Sequence, residues 1–422
     1  MTLPSTPVNR RTFSLGAVAA LGTAALAART PAFASTAFPE SGLLEVTVTG
    51  TERIMAGLTH TRLSVVATSG TSTANLLTVD LRTARTDLLA APSVASTQRL
   101  DDMAEAAGAI AAVNADFFQN TVDAAHKGIP ATSAPVGVEI IDGKILKSAV
   151  PEGQRHGETM PNPINRGNEV IGVLRNGRGV VTRVELAAFF ESDATGKVGV
   201  DGLNIYGMGV NQISAFDHRW GAMSRARIAC GTENKRTAPC TGDVVEVIIT
   251  KHRVTSVSTT IGAGQLAEDQ IALVGREEGA ATLSKLSVGD GVGFNFRGVS
   301  DAGKLDWAVA GGIVVEDGEL AKIVDRPLNP RTYAGVSADG RTMYLLVVDG
   351  RDGISAGIST RDGADLIRHL GADDALLLDG GGSSTMITRH GLDDEWELLS
   401  RSRTSGIEVL RYIPNGIGVF PA

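Results

Sequence analysis

The chain has 422 residues, enough for two or three domains or for one large domain with insertions. Its 43% hydrophobic and 20% charged residues are those of a globular protein, and fifty glycines with 4% aromatics imply many tight turns around an aliphatic core. A formal charge of −8 excludes a general nucleic-acid binder, which needs a basic footprint, but leaves room for arginines gathered around a small anionic substrate.

The first element is an export signal over residues 1–34. Arg10 and Arg11 precede an apolar stretch from Phe13 to Ala28, and Ala32-Phe33-Ala34 is a small-x-small cleavage site. The Arg-Arg-x-Phe order points to the twin-arginine route. The apolar run is short of the roughly 20 residues that span a bilayer. The expectation is cleaved export, no membrane span afterwards, and a secreted or extracytoplasmic protein.

From residue 43 to about 90 short β-rich runs alternate with Gly, Ser and Thr breaks. A helix follows, capped by Ser96 or Thr97 with Leu100, Met103, Ala104 and Ala107 inward, and Gly108 ends it. A strand over 109–113 then runs into Asn114, Asp116, Phe117 and Phe118. The stretch from about 165 to 305 is β-rich with few helical signals. Cys230 and Cys240 flank a polar, Pro-containing loop; in an exported protein this pair reads as one disulfide. The Asp-Gly pairs at 142–143, 317–318, 339–340 and 349–350 read mostly as hairpin turns. Late in the chain a helix with Leu366, Ile367 and Leu370 inward ends at Gly371, and a strand over 375–378 delivers Asp379.

Two helix–strand units that each end in an acid and an unusual loop suggest two walls of one pocket, since ligands of sheet proteins commonly bind beyond the carboxyl ends of such strands. The expected fold class is therefore α+β (mixed α/β): a mixed β-sheet core flanked by helices, with a β-rich middle subdomain. The segments are residues 35–160 and 306–422 as the two parts of a catalytic domain, and 161–305 as the middle segment.

The chemistry concentrates in two stretches. In "PRTYAGVSADGRTMYLLVVDGR", residues 330–351, strand ends present Arg331, Asp349 and Arg351, and an arginine fork there can hold a phosphate or carboxylate. In "ALLLDGGGSSTMI", Asp379 stands before Gly380, Gly381 and Gly382 and the hydroxyls of Ser383, Ser384 and Thr385. Bare backbone lets N–H groups approach an anion, and a helix starting at Ser383 would add its dipole. The spacing is not that of a Walker loop, and the lysine is absent.

These stretches, with "AAVNADFF", "GIST", "VEDGEL" and "RYIPNGIGVF", occur in an order and spacing that resembles the phosphodiester glycosidases, a family that includes the enzyme removing N-acetylglucosamine from a mannose phosphodiester. The resemblance covers most of the chain after the signal. It implies hydrolysis between a sugar's anomeric carbon and a phosphate oxygen, with a carbohydrate or sugar-phosphate as the partner. Carried over by motif, Asn114 and Asp116 line one wall and Asp379 to Thr385 another. Arg331, Asp349 and Arg351 complete the pocket, and His218 (in "GVNQISAFDHRWG") and Arg411 stand at its margin. Many relatives carry glycine where Asp116 stands.

A phosphate monoester leaves readily as an anion, so one carboxylate to activate water or attack C1, with donors for the phosphate, suffices; ordinary glycosidases need two. Asp379 is the expected base or nucleophile. The alternatives are an ordinary glycoside hydrolase on bacterial polysaccharide using Asp116 and Asp379, and a non-catalytic glycan-binding envelope protein. No cofactor is expected. Asp116, Asp349 and Asp379 offer hard oxygens suited to calcium or magnesium, but no loop has the spacing of a calcium hand.

Overall fold

The computed structural model describes residues 41–155, 167–401, 403–404, 407–408 and 410–422. The export signal expected over 1–34 lies outside them. No helix among the described residues is long and apolar enough to cross a membrane.

Antiparallel strand pairing dominates. The main sheet has eight strands, in the order Leu43–Met55, Leu58–Ala67, Gly70–Asp80, Thr342–Val348, Arg331–Val336, Asp374–Leu377, Gly312–Glu316 and Glu319–Leu320, every neighbouring pair antiparallel. A second sheet orders Glu397–Leu398, Met386–Thr388, Ala111–Asn114, Asn415–Pro421 and Ala84–Ala90. A third places Leu305–Ala310 between Glu139–Ile141 and Glu169–Leu174, with Lys144–Lys147 and Gly179–Arg183 at its edges. The first and last thirds of the chain thus interleave within the same sheets.

Alternation puts one face of each strand inward. Leu77, Val79, Leu345, Val347, Ala334 and Leu376 of the main sheet meet Val113, Met386, Ile417 and Val419 of the second and Ile171, Trp307 and Val309 of the third in one apolar cluster. The other face of the main sheet carries the helix Thr360–His369, where Gly363 permits close approach: a Cβ there would lie 2.1 Å from the Tyr333 hydroxyl oxygen. A second cluster fills the middle region around Val247, Leu273 and Leu283.

The α+β expectation is overturned. Thirty strands stand against three α-helices of eight, six and ten residues among the described residues, so the fold is mostly β. The two helix–strand units exist, as Leu100–Ala107 before Ala111–Asn114 and Thr360–His369 before Asp374–Leu377. Their strands lie in different antiparallel sheets, not side by side in a parallel one.

The local signals fare better. Gly108 ends the first helix at φ 72°, its N–H reaching Ala104 O and Glu105 O, although the N-cap is Arg99 with no side-chain cap, not Ser96 or Thr97. Ser359 caps the late helix by accepting from Asp362 N–H. Asp142-Gly143 and Asp317-Gly318 take positive φ at both residues, as tight hairpins require, and Gly340 turns the hairpin between Arg331–Val336 and Thr342–Val348. Asp349-Gly350 is not such a turn; Gly350 bridges to Ala356. Cys230 and Cys240 form the disulfide, joining paired positions of the hairpin Cys230–Thr232/Lys235–Cys240.

Candidate active site around Asp379

Asp379 stands where the chain leaves one sheet for another. Leu378 N–H still bonds Thr332 O in the main sheet, but Asp379 N–H donates to Ala115 O at 2.7 Å, beyond the end of the second-sheet strand Ala111–Asn114. Seven residues later Met386–Thr388 joins that strand directly. The glycine-rich stretch is the crossover between the two layers, which explains its lack of side chains. Gly381 donates its N–H to Pro330 O at 2.8 Å at φ 63°, and a Cβ on Gly380 would sit 2.9 Å from that same oxygen.

Asn114 pins this crossover. Its Nδ2 donates to Asp379 O at 2.7 Å; its Oδ1 accepts from Thr385 N–H at 3.0 Å and from the Thr332 hydroxyl at 2.8 Å. With both ends of the amide engaged, Asn114 acts on the loop and positions Asp379.

The Asp379 carboxylate is half-buried. It accepts from Gly380 N–H at 2.9 Å and from the Ser383 hydroxyl, and Arg411 lies near enough to stabilise its charge. Burial outweighs these donors and pushes its pKa up to about 6. Arg411 approaches the same corner, with Nη1 3.3 Å from Ser383 Oγ and its guanidinium 5.7 Å from the Phe118 ring centre. Arg351, exposed and at φ 62°, brings its guanidinium to 3.5–3.6 Å from where a Cβ of Gly381 would be, beside Asn329 Nδ2 at 3.5 Å. The Ser384 hydroxyl and Asn329 Oδ1 are buried without a hydrogen-bond partner. Asn329 was not among the residues expected from sequence; only its place two residues before Arg331 could have drawn attention to it.

Three expectations for the loop change. Residues Gly381–Ser383 form a single 3-10 turn, so no helix starts at Ser383. The backbone donors of Gly380, Gly381, Ser383, Ser384 and Thr385 are already taken, by the Asp379 carboxylate, Pro330 O, Gly380 O, Gly381 O and Asn114 Oδ1. The glycines serve close packing there. Arg331 is buried, its Nε and Nη2 donating to Ile358 O and Pro327 O; it braces the loop after Pro327.

Asp116 leaves the same strand end but turns inward. It is buried, its Oδ2 accepts from Gly137 N–H at 2.6 Å, and its Oδ1 has no hydrogen-bond partner. Asn415 joins it to Glu139, accepting from Asp116 N–H at 2.8 Å and donating to Glu139 Oε1 at 2.8 Å. Lys147, fully buried, donates to Gly137 O and Ser148 O. Burial drives Asp116 up to about 7, against the pull of Lys147, and drives Lys147 down to about 8 against the pull of Glu139 and Asp116. Burial also raises Glu139.

Two expected residues remain. Asp349 is buried at its strand end and accepts from Arg401 N–H at 2.8 Å. His218 begins a 3-10 turn in the middle region, its carbonyl bound by Gln265, next to the buried Trp220 cluster.

Comparison with known proteins agrees with the resemblance. Residues 243–420 match the sequence model of the phosphodiester glycosidase family. No curated protein matches the chain. Among solved structures, a candidate exported protein of Burkholderia pseudomallei K96243 aligns with TM-score 0.68 and 18% identity over 92% of this chain and 99% of its own. A hypothetical protein from Synechocystis aligns with TM-score 0.64 and 19% identity over 87% of this chain; only 62% of that longer chain is spanned. The zebrafish N-acetylglucosamine-1-phosphodiester alpha-N-acetylglucosaminidase catalytic domain, auto-inhibited by its pro-peptide, aligns at 12% identity and TM-score 0.42 over 90% of this chain and 88% of that one. The first two likenesses concern the fold.

Proposed function

We propose that this chain, whose residues 243–420 match the phosphodiester glycosidase family, is an exported hydrolase of glycosyl-1-phosphodiesters, with Asp379 as its base or nucleophile. One observation carries the reading: a single half-buried carboxylate, pushed up to about 6, stands on a braced turn beside Ser383 and Arg411, with Arg351 over the glycines. Cleavage of the C1–O bond sends the electron pair to the departing phosphate oxygen, which needs no proton to leave. The carboxylate then needs only to attack C1, or to take a proton from the water that does. Arg411 and Arg351 supply the side-chain donors that a leaving phosphate requires. The test is turnover of a sugar-1-phosphodiester by Asp379→Asn; near-normal rates in a folded variant would remove the assignment.

A second reading is a plain glycoside hydrolase using Asp116 and Asp379, and one observation favours it: burial holds Asp116 near 7, the range of a general acid. Matched sugar phosphodiesters and aryl glycosides separate the two, since the first reading requires a large preference for the phosphodiester. Neither reading uses a metal, and activity is expected to survive a chelator. Export by the twin-arginine route belongs to the same proposal, supported by residues 10–34 and by the Cys230–Cys240 disulfide. Replacing Arg10 and Arg11 by lysines should stop the disulfide-bonded form from accumulating outside the cytoplasm.

A further inference from the structure

One end of the third sheet gathers positive charge. A cavity of about 660 Å³ is lined there by Lys144, Arg175, Arg219, Arg297 and Lys304, with Ile140, Ile145 and Phe296 among its apolar residues. The cations come from separate segments: Lys144 follows the Asp142-Gly143 turn, Arg175 the strand Glu169–Leu174, and Lys304 precedes Leu305–Ala310. Their convergence is built by the backbone. Arg175 N–H donates to Lys304 O at 3.0 Å, and Gly143 N–H to Asp306 O at 2.7 Å. Gly143 makes room for Arg175, since a Cβ there would lie 2.5 Å from Nη2.

Arg219 is paired with Asp217 and donates to Ile145 O on the cavity wall. Among the described residues the other four cations form no ion pair with a carboxylate, and no carboxylate lines the cavity. Asp142 and Asp306 adjoin the lining in sequence without belonging to it, and the four cations that form no ion pair leave the concavity itself lined by positive charge in a chain of net charge −8. Apolar surface next to guanidinium and ammonium groups suits sugar rings that carry anionic substituents.

We propose that this cavity is a second binding site, separate from the Asp379 loop, for the anionic segments of a sugar-phosphate polymer. It rests on the reading of the chain as a glycosyl phosphodiesterase for the kind of polymer it holds, since a polymer with phosphodiester links would present anions to the groove while one link occupies the Asp379 corner.

The test uses the full mature chain with Lys144, Arg175 and Lys304 all replaced by serine, three exposed positions outside the Asp379 corner. Binding is measured in an Asp379→Asn background with three probes: a phosphodiester-linked oligosaccharide, the same sugars in neutral glycosidic linkage, and inorganic phosphate. The native groove should bind the first at least tenfold more tightly than the other two, and the triple substitution should abolish that preference and flatten its salt dependence. With Asp379 restored, turnover of a small sugar-1-phosphodiester should stay within twofold while turnover of the polymer falls at least fivefold. Unchanged oligosaccharide binding in the triple variant overturns the proposal, as does equal binding of the neutral oligosaccharide or of phosphate alone. Charge-dependent oligosaccharide binding with no turnover of any phosphodiester would uphold the groove and remove the catalytic reading instead.

Discussion

The side chain of Asn114 holds the backbone of Asp379, Nδ2 to O at 2.7 Å, across 265 residues of sequence. The same amide accepts from Thr332 on the main sheet and from Thr385 after the glycine loop, so one residue ties the two sheets and the loop together. Asn114→Ala leaves three groups unpaired at once, two of them buried. Each such loss costs about 1–3 kcal/mol, and the melting temperature should fall by several degrees. The turnover number should drop at least tenfold in the fraction that stays folded, because the carboxylate loses its fixed approach. Retained turnover with only lowered stability would confine Asn114 to the scaffold.

Asp379 must be ionised to act as base or nucleophile, so kcat/KM for a sugar-1-phosphodiester should rise with pH to a plateau, with an acid limb near 6. Arg411 stabilises the ionised form. Arg411→Gln should therefore move the limb upward as well as weaken substrate binding. A limb that stays in place while KM rises would make Arg411 a substrate contact that has no influence on the carboxylate.

Raising a carboxyl pKa has a stability consequence of fixed sign. Below the unfolded carboxylate range both states of the protein hold the proton; as pH rises toward 6 the unfolded chain releases it first, and stability falls. Above about 6 the full cost is present. Asp379→Asn should accordingly melt a few degrees higher than the native chain at pH 7.5 and no higher at pH 4, while losing at least 100-fold in activity. A destabilised variant at pH 7.5 would show that the carboxylate's bonds to Gly380 N–H and Ser383 outweigh its burial.

Several helix ends and turns are legible in the chain because their signals are local. Gly108 ends its helix by its left-handed backbone conformation, and the Asp-Gly pairs at 142–143, 317–318 and 339–340 turn their hairpins. The fold class was not legible. Two helix–strand units suggest a mixed sheet flanked by helices, yet Asp374–Leu377 and Ala111–Asn114 find antiparallel partners far along the chain, in two different sheets. The loop was misread for the same reason: its glycines look like an anion nest until Pro330 and Asn114, remote in sequence, are seen to occupy the donors. Arg331 and Arg411 could not be ranked without knowing which one packs under Ile358 and which one reaches Ser383.

Lys147 is the cation of a buried group that also holds Asp116 and Glu139, and two carboxyls with one ammonium cannot all be neutralised by pairing. Lys147→Met removes the cation and leaves both carboxyls to face the apolar interior. Ionising them then costs several kcal/mol, and the folded chain avoids that cost by keeping their protons. Their folded pKa values, already raised by burial, should rise further. Stability lost by the substitution should thus be small near pH 5 and grow as pH rises through 7 and above, where the unfolded chain is fully ionised. Thermal melts of the native chain and Lys147→Met at pH 5, 6.5 and 8 read this directly, and adding Glu139→Gln should recover part of the loss at pH 8. A loss independent of pH would mean that Lys147 matters for its bonds to Gly137 O and Ser148 O, not for its charge.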